Sequence, residues 1–330
     1  MLVPAAVRNP PPCGFIVRLA RFVSVAEPTL PGLRLASDHL HHGEGTFLSV
    51  VHCQQPSCSL APTGAGASHE PLGCSERSLE QQIHAETMMR GTPPASIVDE
   101  VEALKREAGI AACSFVSSGM ILGLGTGSTV RYTVLEIGRR MIEEGLQIKG
   151  VPTSEATRHL AESLGIPLLT LEQVDEIDLT IDGADEFDPD FQLIKGGGGA
   201  LTREKRVASV SKAMVVVADD RKQVPVLGGF DLPLEVGTSD WEGVRDELES
   251  ICPGQVRLRG GPMPYVTDNG GYILDCEFGP TISDPGKLEK LILSVDGVVE
   301  VGLFVGMCDA VVMATLSEVL TIVKEDGRLN

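Results

Sequence analysis

The sequence predicts an α/β fold: a mostly parallel sheet with helices on both faces, plus a smaller α+β subdomain inserted near the C-terminal part. Three observations predict it. From about residue 96, short apolar runs of strand length alternate with amphipathic helical stretches, the pattern of a parallel sheet buried on both sides. Glycine-rich polar segments follow the apolar runs directly, where such folds place their ligands. Past residue 230 the alternation gives way to strands flanking Asn269-Gly270, a strong hairpin signal. A main α/β unit is therefore expected from residues 92–230 and 306–330, and a smaller unit from residues 231–305.

Ser96, with Asp99 three residues on, suggests a capped helix over residues 97–116, with Val98, Val101, Leu104, Ala108 and Ala111-Ala112 on one face. Residues 120–123 read as a short buried strand. The helix after it runs to about residue 144, with Val130, Val134, Ile137 and Met141 on its apolar side. A strand near 148–151, a helix over 154–164, and strands at 167–169 and 177–181 continue the alternation. A short apolar piece at 191–194 precedes a helix over 202–211 and a strand over 214–218. The smaller unit combines strands 232–236 and 255–259, helix 241–251, a hairpin over 265–276, helix 285–295 and strand 298–304. Strands 310–314 and 319–323 rejoin the main sheet.

The first 90 residues are a different kind of sequence. They carry 6 Arg, no Lys and 7 acids, with six of the seven histidines and four of the eight cysteines. Proline punctuation and the lack of periodicity predict a largely disordered extension over residues 1–91. An apolar stretch at 15–25 bearing Arg18 and Arg21 resembles an organelle-targeting peptide. The plainer reading, which we favour, is an extension dispensable for folding, with Met88 and Met89 as internal starts and a cytoplasmic location. His41, His42, Cys53 and Cys58 match no zinc-site spacing. Cys113, Cys252, Cys276 and Cys308 are widely spaced in apolar runs and read as buried thiols.

Charge excludes several function classes. The whole chain has 27 basic against 46 acidic residues, a net of −19, and nearly all of the excess lies beyond residue 90. Phosphate-backbone affinity comes from Lys and Arg, so neither nucleic acid nor an anionic membrane is an expected partner. No run of 18 uncharged apolar residues exists to span a bilayer.

Four segments can carry chemistry. Residues 123–129 (Gly-Leu-Gly-Thr-Gly-Ser-Thr) form a strand-to-helix turn whose amides and hydroxyls suit a phosphate, or simply a tight turn with an N-cap. They form neither a Walker loop nor a true dinucleotide fingerprint. Asp182-Gly183-Ala184-Asp185-Glu186 follows an apolar strand. Its carboxylates suit a cleft, an Asx-type turn or, with further partners, magnesium. Lys195 opens a third segment with four consecutive glycines, Gly196 to Gly199, suited to close approach of backbone to ligand. Glu204 then falls in the first turn of the next helix, where it also favours the macrodipole. In the fourth, Asp219-Asp220-Arg221-Lys222, Lys222 is either a ligand contact or a solvated charge. His159 is the only histidine beyond residue 90, so acid–base work falls to carboxylates and lysines.

Residues 123–129, 181–185, 194–204 and Val266-Thr267-Asp268-Asn269-Gly270, in that order, resemble A-type ribose-5-phosphate isomerase over about residues 98–323. The resemblance implies interconversion of ribose 5-phosphate and ribulose 5-phosphate without metal or organic cofactor, in the non-oxidative branch of the pentose phosphate pathway. It implies Glu204 as the base moving a proton between C1 and C2 through an enediolate, and Asp182 as the acid/base for ring opening. Asp185, Lys195 and the amides of Gly196, Gly197 and Gly198 would orient the substrate and stabilise the oxyanion. Ser128 and Thr129 would bind phosphate beside Gly127, with Thr126 near the sugar, Gly183 and Ala184 lining the site, and Lys222 and Lys105 as cationic contacts. A homodimer or a dimer of dimers is the implied assembly. Sugar-phosphate sensors share the fold, but residues 1–90 offer no basic helix-turn-helix. A hexosamine-phosphate deaminase would need an active-site histidine.

Overall fold

Every residue of Met214–Asp219 is buried, and this run forms an interior strand of a six-stranded sheet. Met214, Val216 and Ala218 pack into one apolar cluster while Val215 and Val217 pack into another, so both faces of the strand are covered. Full burial of such side chains contributes about 1.5–3 kcal/mol each. The computed structural model describes residues 95–329, with side chains from residue 99. The expected disordered extension, its targeting-like stretch and the candidate internal starts lie outside the described residues.

The elements are, in order, α1 (Ala95–Ala112), β1 (Ile121–Leu124), α2 (Val130–Glu143), β2 (Lys149–Pro152), α3 (Glu155–Ser163) and β3 (Leu179–Gly183). Two short strands, β4 (Glu186–Phe187) and β5 (Leu193–Ile194), precede α4 (Leu201–Ser209) and β6 (Met214–Asp219). Next come β7 (Leu232–Val236), α5 (Trp241–Glu249), β8 (Val256–Leu258), β9 (Tyr272–Cys276) and α6 (Pro285–Ile292). The chain closes with β10 (Val298–Val301), β11 (Leu303–Phe304), β12 (Ala310–Ala314) and β13 (Val319–Val323).

The main sheet has the order β13-β12-β6-β3-β1-β2, parallel except for β13. An antiparallel four-stranded sheet, β10-β7-β9-β8, and a three-stranded sheet, β11-β5-β4, complete the fold. Helix α4 packs on β3, β7 and β10, so it touches both larger sheets.

Several expectations are corrected. Helix α1 already includes Ser96 and ends at Ala112, with a 3-10 turn after it; Arg140 stops the helix by donating to the carbonyls of Cys113 (2.5 Å) and Val116 (3.3 Å). Residues 167–169 are not a strand but one bridge, Gly150 to Leu168, since Pro167 offers no donor. The strand expected over 177–181 is shifted, so Asp182 is a residue of β3 itself. The hairpin over 265–276 loses its first arm to a single bridge, Val266 to Tyr272, and β9 pairs with β8 instead. Pro262 and Pro264 cannot donate to a ladder, and that arm contacts the glycine loop instead. The run expected as one strand over 298–304 breaks at Gly302, whose N–H donates to Pro233 O and whose carbonyl accepts from Lys195 N, both at 2.8 Å. A Cβ there would sit 2.3 Å from the Lys195 carbonyl, so only glycine allows this crossing between sheets.

Candidate active site

The order β2-β1-β3 reverses the direction of winding at β1, so the carboxyl ends of β1 and β3 flank a topological switch point. A cleft of about 360 Å³ opens there. It is lined by Lys105, Thr126, Gly127, Ser128, Thr129, Gly183, Ala184, Asp185, Lys195, Gly196, Gly198, Glu204 and Lys222. Of the residues expected from the sequence, only Asp182 and Gly197 do not line it. A larger cleft of about 510 Å³ beside α3 and α4 holds Arg158 and Arg203, but both guanidiniums pair with Glu155 and none of its titratable residues is buried.

The 125–129 turn delivers donors to the cleft. Among the described residues, the amides and hydroxyls of Ser128 and Thr129 donate to no protein acceptor, and Thr129 does not cap α2 with its side chain. Thr126 is held differently. Its hydroxyl lies 2.7 Å from Thr153 Oγ1, 2.8 Å from Ser154 Oγ and 3.3 Å from Thr157 Oγ1, while its N–H donates to Asp182 Oδ1 at 3.0 Å. Lys222 makes no ion pair among the described residues and lies 5.9 Å from the Phe230 ring centroid. Lys105 Nζ is 3.4 Å from Glu102 Oε2.

The acid–base group is a buried triad of ionisable side chains. Asp182 is 0% exposed, Lys195 2% and Glu204 4%. Lys195 Nζ donates to Gly183 O at 2.6 Å and lies 3.0 Å from Asp182 Oδ2 and 3.3 Å from Glu204 Oε2. Neither of those carboxylate oxygens has an aligned donor, so the pairing is Coulombic and incomplete. Burial, reinforced by the Asp182 charge, pushes Glu204 up to about 8, although Lys195 pulls the other way. Burial also raises Asp182, against Lys195 and the Thr126 and Gly183 amides. For Lys195, burial opposes the charge, but Asp182 and Glu204 outweigh it and hold the ammonium up at about 12. Asp185 Oδ2 accepts from Gly197 N at 2.7 Å and so fixes the start of the glycine loop.

Asp182 lies beneath the floor of the cleft, where its Oδ2 faces Lys195 and its Oδ1 accepts from the N–H groups of Thr126 and Gly183. Gly125 makes this packing possible: a Cβ at Gly125 would fall 2.3 Å from Asp182 Oδ1. Gly125→Ala is therefore expected to displace Asp182 and lower kcat about 10²-fold with the fold retained. Steady-state kinetics beside a far-ultraviolet dichroism spectrum check it.

Sequence reasoning missed Arg221 and Asp219, which also line the cleft, with Arg221 Nε donating to Asp219 Oδ1 at 2.8 Å. Their signal was adjacency to Lys222 after a buried strand. It also missed the hydroxyls of Thr153, Ser154 and Thr157, whose signal was the polar Thr-Ser pair entering α3. His159 is exposed on α3, 3.8 Å from Glu162 Oε2, outside the site. No group of three or more His, Cys, Asp or Glu among the described residues is placed to hold a metal ion.

A covered α/β sheet with a buried Asp–Lys–Glu group at its switch point defines a class of proteins suited to acid–base chemistry on a small ligand. A family model described as ribose 5-phosphate isomerase A (phosphoriboisomerase A) matches residues 149–318. The chain is 46% identical over 213 residues to ribose-5-phosphate isomerase A of Bacillus mycoides, covering 64% of this chain and 96% of that protein. Identity to the Nitrobacter hamburgensis protein of the same name is 48% over 221 residues, with 65% and 94% covered. The solved ribose 5-phosphate isomerase A of Methanocaldococcus jannaschii superposes with a TM-score of 0.64 at 39% identity, covering 68% of this chain and 99% of that one. A D-ribose-5-phosphate isomerase solved in complex with phospho-erythronic acid gives 0.65 at 38% identity, with the same coverage. The chain belongs to the ribose-5-phosphate isomerase A family.

Proposed function

We propose that the chain interconverts ribose 5-phosphate and ribulose 5-phosphate by metal-free proton transfer through an enediolate. The observation that carries the mechanism is the Glu204 carboxylate, buried 3.3 Å from a charged lysine in the cleft that the 126–129 turn also lines. In the open-chain aldose, Glu204 removes the C2 proton and the electron pair moves through the C1–C2 bond onto the C1 oxygen. Lys195 and the glycine-loop amides stabilise the resulting enediolate, a proton moves from the C2 hydroxyl to O1, and Glu204 returns its proton to C1. Asp182 acts from behind as the proton-exchanging partner of Lys195 during ring opening, and Asp185 keeps the loop in place. Ser128, Thr129, Lys222 and Lys105 bind the phosphate. The four cysteines among the described residues are buried and free, which supports a reducing, cytoplasmic setting.

The test is turnover of ribose 5-phosphate by the full chain in deuterium oxide with a chelator present. Solvent deuterium at C1 of the ketose supports proton transfer, because the Glu204 carboxyl can exchange with solvent while the enediolate persists; no deuterium at C1 together with activity retained in Glu204→Gln is the signature of a hydride shift and overturns the mechanism. The binding roles are checked separately. Lys222→Ala removes a charge-assisted contact and is expected to raise KM about ten- to a hundredfold while kcat changes little.

A further inference from the structure

The 266–270 motif takes no part in the chemistry above, yet residues 259–271 touch both the glycine loop and the helix that carries Glu204. Arg259 donates to the carbonyls of Gly196 (2.9 Å) and Gly197 (3.1 Å), and the Tyr265 hydroxyl to that of Gly198 (3.3 Å). Asn269 sits between two further partners. Its Nδ2 lies 3.4 and 3.3 Å from the two oxygens of Glu235, and its Oδ1 accepts from Arg203 Nε at 2.9 Å. Glu235, buried on β7, also accepts from the hydroxyls of Thr202 and Thr267. Thr202 and Arg203 immediately precede Glu204 in the first turn of α4.

The same bonds reach the opposite wall. Arg203 donates to Glu155 Oε1 (2.9 Å) and Asp268 O (3.0 Å), and Asp268 Oδ2 accepts from the Glu155 N–H (2.8 Å) at the start of α3. Ser154, which caps α3, holds the Thr126 hydroxyl, and the Thr126 N–H holds Asp182. A continuous frame of hydrogen bonds thus runs around the outside of the cleft from the Asp182 side to the Glu204 side.

We propose that Asn269 is a positioning residue for the isomerisation. Joined to Glu235 and Arg203, it fixes the first turn of α4, and with it the Glu204 carboxylate, against the Thr126–Asp182 wall. This rests on the acid–base role assigned to Glu204. Exposed ion pairs alone stabilise a fold little. The contribution of this frame is geometric, because a displacement of about 1 Å at a reacting group lowers a rate about 10²-fold.

The experiment measures kcat, KM and melting temperature for full-length wild type, Glu204→Gln, Asn269→Ala, Arg203→Ala and the Arg203/Asn269 double variant, assayed well below every melting transition. Asn269→Ala is expected to lower kcat about tenfold with KM within about twofold of wild type. The double variant is expected to be no slower than the slower single one, because both substitutions break the same frame. Asn269→Asp keeps the acceptor for Arg203 but sets a second carboxylate against Glu235; it is expected to be as slow, and it replaces the Ala variant if that one does not fold. Unchanged kcat in a folded variant, a rise in KM at unchanged kcat, or losses that multiply in the double variant each overturn the proposal. Wild type without turnover overturns the functional reading itself. Active wild type, inactive Glu204→Gln and unaffected Asn269 variants overturn only the positioning role.

Discussion

Glu204→Gln is expected to lower kcat about 10²- to 10⁴-fold, the contribution of a positioned general base. KM stays within about twofold, because the amide keeps the shape of the side chain and the phosphate contacts lie elsewhere. The pH behaviour separates this from simple damage. With Glu204 pushed up to about 8, the base is protonated below that value, so wild-type kcat/KM rises with pH through about 8. Stability runs the other way. The folded protein holds a proton that the unfolded chain releases above 4.5, so this contribution is fully present below 4.5 and is lost as pH rises through about 8. The Gln variant cannot titrate there, so its melting temperature should fall less than that of wild type over the same pH span. A variant that keeps its kcat, or shows the same acid limb as wild type, would remove Glu204 from the role of base.

Much of this site was legible because its residues follow buried strands. Residues 214–218 are apolar at every position, the pattern of a strand buried on both faces, which places Lys222 and its neighbours just beyond the carboxyl edge. Likewise the run of four glycines suits close approach of backbone to a ligand, whereas the Gly-Thr-Gly-Ser-Thr turn by itself reads equally well as a tight turn with an N-cap. What local pattern could not show was depth. Asp182 and Asp185 look alike in sequence, yet the first is a residue of β3 and lies beneath the floor, while the second, three positions on, is in the loop after the strand and lines the cleft. The first arm of the expected hairpin was misread for a related reason. Alternation reports which residues prefer a sheet, whereas here long-range bonds from Arg259, Tyr265 and Asn269 to the 196–204 region decide the path. Glu235 carried a signal that went unused: an acid within the otherwise apolar run Leu-Pro-Leu-Glu-Val must find donors once buried.

Lys195→Met is the substitution expected to affect both activity and stability most. Methionine fills the volume but removes the one cation that, among the described residues, pairs with these two buried carboxylates. Breaking a buried pair by deleting one partner destabilises a fold by about 3–5 kcal/mol, because the remaining charge stays desolvated. Here two acids remain, facing each other across the vacated position, so at least one must take up a proton. The penalty therefore grows with pH: the variant should approach wild-type stability under acid conditions, where both carboxyls are neutral, and fall furthest behind it at alkaline pH. Activity should drop at least about 10²-fold, the loss typical of removing one donor to a developing oxyanion, and substrate should not restore it. Thermal melts of both proteins across pH, read beside kcat, check each part. Equal melting curves would mean that the two carboxyls do not depend on the ammonium for their stability. Retained kcat would mean that the enediolate is held by the glycine-loop amides alone. Loss of activity with a stability gap that widens as pH rises ties both effects to one ammonium, which keeps Asp182 and Glu204 ionisable in a site too dry to hold either charge unaided.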